Sequence, residues 1–62
     1  MKFKLEITLD AAAFDPVNGD EVATILGNAA ERVNGRNLRP GHEYFLLDSN
    51  GNYVGSFKVV DS

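Results

Sequence analysis

Asp48, Asn50 and Asn52 place three oxygen-bearing side chains at alternate positions, as the opening of a calcium loop does. Such a loop needs a glycine at its sixth position and a bidentate glutamate at its twelfth. Counting from Asp48 puts Gly51 at the fourth and Val59 at the twelfth. The turn chemistry of Asn50-Gly51 explains the stretch without a metal, and no metal or other cofactor is expected. His42 is the one histidine and the chain has no cysteine. Ser49 and Ser56 fall in the same hairpin, so spacing assembles no nucleophile, base and orienting group. The expectation is a protein that is not an enzyme and takes no small-molecule substrate.

Arg36 and Arg39 are the candidate anion or nucleic-acid contact, with Arg32 and His42 close by in sequence. Cations at the end of a helix also have a structural reason, since they oppose its negative pole. The stretch lacks the interleaved aromatics and the helix N-terminal amides that strengthen a phosphate site. A formal net charge of −3 and an isoelectric point near 4.8 further disfavour a general affinity for nucleic acid. Asp10, Asp15, Asp20 and Glu21 gather at the opposite end, which makes the molecule a charge dipole but forms too sparse an array to imitate a phosphate track.

These residues must be positioned by a small scaffold. Sixty-two residues hold one domain, and a chain of this size buries only about 60% of the surface it exposes when unfolded. Without cysteine, a partner or a second copy is the remaining staple. Phe3, Leu5, Ile7 and Leu9 alternate with polar residues and predict a half-buried first strand. The same alternation leaves no continuous apolar core for a signal peptide, and no membrane span is present, so a cytoplasmic protein is expected. Asp15-Pro16 and Asn18-Gly19 punctuate the stretch after this strand, with Phe14 expected to plug the core.

Val22, Ile25, Leu26, Ala29 and Val33 then recur as one face of a helix placed at about residues 19–34. Asn18 and Glu21 have the spacing of a capping box, with Asp20 as a competing cap. Gly35 supplies the left-handed residue that closes the helix, and Gly27 is expected to let it lie close to the sheet. A second strand at about 42–48 and a third at about 53–60 flank Asn50-Gly51, the preferred pair for a two-residue turn.

That turn sets Leu47 opposite Val54, Leu46 opposite Gly55, Tyr44 opposite Phe57 and Glu43 opposite Lys58. One face then carries Tyr44, Leu46, Phe57 and Val59, and the helix should cover it. The other carries Glu43, Phe45, Leu47, Val54, Lys58 and Val60, with nothing in the chain to cover it. Phe45, Leu47 and Val54, with Val60 nearby, are therefore the candidate protein interface. Scattered exposed apolar residues are ordinary on small proteins, and that plainer reading stays open beside it.

The predicted architecture is α+β: a β-α-β-β chain with a three-stranded antiparallel sheet in the order 1-3-2 and one helix on one face. A parallel pairing of the first and second strands is the alternative.

The phrases "LDAAAF", "EVATILGNAAERV" and "DSNGNYVGSFKV" together give a chain that resembles short phage-type and prophage-type proteins of unknown function. Those have a first strand ending in an LDxAAF phrase, an ELAxIL-like helix and a D-x-N-G-N-x-V-G hairpin. The resemblance covers most of the chain and carries over no catalytic residue. In its pattern the position of Leu47 is often polar, so the apolar cluster is a departure. The resemblance implies a mobile-element setting in the host cytoplasm, where very small acidic proteins bind and block host machinery, anti-CRISPR and anti-restriction inhibitors among them. The leading expectation is accordingly a non-enzymatic protein that acts by protein binding. A self-associating accessory protein and an anion or nucleic-acid binder through Arg36 and Arg39 are the alternatives.

Overall fold

The computed structural model describes residues 1–61 and orders them as β1 (Lys2–Ile7), a 3-10 turn (Ala12–Phe14), α1 (Asn18–Val33), β2 (Glu43–Leu47) and β3 (Tyr53–Val60). The sheet order is β1-β3-β2, and both pairings are antiparallel. This is the expected α+β arrangement, and the parallel alternative is excluded. No helix among the described residues is long and apolar enough to cross a membrane.

The helix closes as its sequence implies. Gly35 takes φ +77°, and the Arg36 N–H donates to the Val33 carbonyl at 3.0 Å. Its start differs from the expected capping box. Val17 holds the cap position, Asn18 is already helical, and no side chain caps the free amides.

The Glu21 carboxylate instead turns to the hairpin. It accepts the Ser49 backbone N–H at 2.7 Å and the Ser49 hydroxyl at 2.8 Å. Glu21 is only 9% exposed, so these charge-assisted bonds offset the cost of burying the carboxylate and tie the first turn of the helix to the β2–β3 loop.

Ile25 and Ala29 bury against Phe14, Leu46, Val54 and Phe57 to form the core, with Val22 and Val33 half-buried at its margin. Phe14 is the expected plug. Phe57 is wholly buried and lies between Phe3 and Tyr44, with ring centroids 5.1 and 4.9 Å away. Burying a side chain of this size contributes about 1.5–3 kcal/mol, which makes the central strand the anchor of the fold.

Two positions on the helix depart from expectation. Leu26 is 45% exposed, because the stripe that meets the sheet is narrower than the apolar series. Gly27 faces open space, with nothing within 4 Å of where a Cβ would stand, so it does not serve close packing.

The hairpin pairs Glu43 with Lys58, Tyr44 with Phe57, Phe45 with Ser56 and Leu46 with Gly55, all as expected. Beyond that the register shifts, and Leu47 pairs with Tyr53. Asn50 does not take the positive φ that a two-residue turn of the predicted type requires; only Gly51 does, at +83°. The loop is therefore Ser49–Gly51, three residues long. The Asp48 N–H donates to the Asn52 carbonyl (2.9 Å), and the Gly51 N–H donates to the Asp48 carbonyl (3.0 Å). Asp48 Oδ1 accepts the amides of Asn50 and Asn52 at 2.9 and 2.8 Å, which fixes this longer loop.

The extra residue appears as a bulge at Val54, which is skipped in the pairing with β2. Val54 drops into the core at 6% exposure, while its carbonyl accepts the Thr8 N–H at 2.8 Å. Gly55 permits the distortion: a Cβ there would overlap the carbonyl oxygen of Glu6 on β1.

Candidate functional site

Directly opposed residues of an antiparallel sheet share a face. Leu5 opposes Phe57, which opposes Tyr44, so these three lie on the helix side. Lys4, Lys58 and Glu43 form the corresponding row on the uncovered side, with Lys2 opposite Val60 at one end and Glu6 opposite Ser56 towards the other.

The apolar part of this open face is made by Phe45 (55% exposed), Leu47 (50%) and Tyr53 (61%), and the Phe45 and Tyr53 rings meet at 5.3 Å. Aromatic side chains carry about 150–250 Å² each, so the cluster exposes on the order of 300 Å². That matches the largest patches found on typical monomers. Beside Tyr53, a shallow groove of about 340 Å³ runs past Glu6, Thr8 and Ser56.

Two of the four predicted interface residues do not belong to this cluster. Val54 is buried by the bulge, so it contributes to stability and not to the surface. Val60 pairs with Lys2 four residues beyond Ser56, which at about 3.3 Å per residue sets it roughly 13 Å from the row of Phe45.

Tyr53, which is not among the residues the sequence singles out, takes the place beside Phe45. The signal for it lay in Asp48: an aspartate that can accept the amides two and four residues on favours a longer loop than Asn-Gly alone suggests.

Of the other candidate residues, Arg36 and Arg32 make side-chain contacts within the fold. Arg36 lies over the Tyr44 ring, 5.9 Å from its centroid, and donates to the Tyr44 hydroxyl at 3.2 Å. Arg39 is exposed in the following turn, where its carbonyl accepts the His42 N–H at 3.2 Å. Arg32 reaches from the helix to the Phe45 carbonyl at 2.8 Å, occupying an acceptor on the outer edge of β2. Below it, Ile25, Asn28, Leu46, Leu47 and Asp48 line a groove of about 240 Å³. His42 Nδ1 is buried without a hydrogen-bond partner among the described residues, while its backbone carbonyl accepts the Val59 N–H at 2.9 Å. The described residues contain no group of three or more His, Cys, Asp or Glu side chains arranged to hold a metal. The Asp48 carboxylate is engaged by its own loop.

Comparison of the chain with protein-family models, with curated proteins and with solved structures gives no match.

Proposed function

We propose that this protein is a non-catalytic binding module that docks on a protein partner through the open face of its sheet. The observation that supports this reading most is the contiguous cluster of Phe45, Leu47 and Tyr53, each half exposed or more on a face that no element of the described residues covers. Two rings in contact with a leucine beside them make a compact apolar anchor of the kind that dominates binding energy at interfaces. The narrower reading, an inhibitor of a host defence complex, rests on the phage-type resemblance alone and names one class of such partners.

The test is capture of partners by the wild type and by Phe45→Glu, with reconstitution from each purified captured protein. A charge at the centre of a desolvated anchor costs more than about 2 kcal/mol, or some thirtyfold in affinity. A partner that binds both forms equally well would refute docking through this face. Sedimentation of the protein alone completes the test. A dimer that Leu47→Lys dissociates would identify the occupant as a second copy.

A further inference from the structure

All three lysines of the chain, Lys2, Lys4 and Lys58, lie on the open face, although the protein as a whole is acidic. Lys2 and Lys4 have a plain structural reason, since lysines on an edge strand discourage pairing with other chains. Lys58 is on the central strand and has no such reason. It also stands directly opposite Lys4, and like charges in that position destabilise a sheet. Glu43 on the other side of Lys58 relieves only part of this.

We infer that the partner presents an acidic segment next to an apolar anchor, with the anchor on Phe45, Leu47 and Tyr53 and its carboxylates over Lys2, Lys4 and Lys58. This rests on the proposed docking through the open face and adds the chemistry of what docks. The Lys4–Lys58 row is two residues from the row of Phe45 and the Lys2 row is four, so the carboxylates lie about 7 and 13 Å from the anchor.

A second copy fits this face poorly. A stable interface buries about 800 Å² on each side, well beyond the apolar cluster. A twofold axis along the central strand would bring Lys58 onto Lys58 of the copy, with Lys4 over Glu43 at its sides. An axis across the strands through the cluster would leave both rows outside the contact. A single-stranded nucleic acid fits less well too. Its continuous phosphate track would run over Glu43 and Glu6 as well as the lysines, which carboxylates placed singly over the lysines avoid, and the two rings are tilted 48° to one another instead of offering parallel platforms for bases.

The experiment selects a displayed library of random peptides on the immobilised protein and measures the winners against Phe45→Glu and Lys4→Glu. The expected winners join an aromatic or aliphatic residue to Asp or Glu, weaken with salt, and bind Lys4→Glu about tenfold less tightly. Lys4→Glu should also melt no lower than the wild type, because it replaces a repulsive cross-strand pair with an attractive one. Winners that depend on Phe45 but show no acidic preference and ignore Lys4→Glu would overturn the acidic partner while leaving the docking face standing. Winners that survive Phe45→Glu would overturn both. Salt-dependent binding of a labelled single-stranded oligonucleotide that Lys4→Glu abolishes would assign the face to nucleic acid and overturn the inference.

Discussion

Removing the Glu21 carboxylate tests how the helix is held to the hairpin. Hydrogen bonds to a charged group contribute about 1.5–3 kcal/mol each, and Glu21 accepts two from Ser49 at 2.7 and 2.8 Å. Ser49 is exposed, so its N–H and hydroxyl return to water when the carboxylate goes, and the lower end of the range applies. Glu21→Ala should therefore cost about 3 kcal/mol. Ser49→Ala removes the hydroxyl but keeps the backbone bond, and should cost about 1.5 kcal/mol. The double variant should be little worse than Glu21→Ala, giving a coupling near 1.5 kcal/mol.

Urea unfolding monitored by circular dichroism reads these values from midpoint and slope. A chain of this size has only about 3–9 kcal/mol in hand. Ser49→Ala keeps the cycle readable even if Glu21→Ala is largely unfolded. Asn18→Ala is the control: its side chain caps nothing, so the change should stay within about 0.5 kcal/mol. A functioning capping box predicts the reverse, with about 1 kcal/mol lost at Asn18 and no coupling between Glu21 and Ser49. That pattern would refute the tie between helix and hairpin.

Three further substitutions probe the scaffold. Gly27→Ala should raise stability by about 1 kcal/mol in the same urea assay, since the site is helical and open to solvent. Gly55→Ala should destroy the β1–β3 pairing, because its Cβ overlaps the Glu6 carbonyl oxygen; a dispersed amide spectrum like that of the wild type would contradict this. Val54→Asp should unfold the chain while Leu47→Asp stays within about 0.5 kcal/mol of wild type, the first burying an unpaired charge and the second replacing an exposed side chain. Equal effects would mean that the bulge is absent.

Much of this scaffold is legible in the sequence because each element states its period clearly. The alternation of Phe3, Leu5 and Ile7, the helical series through Ile25 and Ala29, and Gly35 as terminator all lead to the observed elements. The register from Glu43 to Leu46 is legible as well. The errors arise where one sequence signal fits two geometries. Asn50-Gly51 serves a two-residue turn, but Gly51 equally supplies the single left-handed residue of a three-residue loop. Once Asp48 selects the second, Tyr53 and Val54 exchange places, and the candidate interface changes composition with no change in the strands. Asn18 and Glu21 have capping-box spacing, yet a carboxylate in the first turn can also face across to another element. Only the tertiary position of Ser49 decides between them. The overall acidity likewise hid the lysines, because net charge says nothing about where charges lie.

The bulge at Val54 also bears on how such a surface could change over generations. In a hairpin the turn sets the phase of both strands, so replacing Asp48, whose carboxylate fixes the three-residue loop, would let Asn50-Gly51 close a two-residue turn that sets Val54 opposite Leu47 and offers it to solvent in place of Tyr53. A single substitution at the base of the loop would then replace an aromatic contact with an aliphatic one, leaving every strand residue unaltered. The composition of the open face is therefore open to revision by a change that lies outside it, in a loop where change is least damaging.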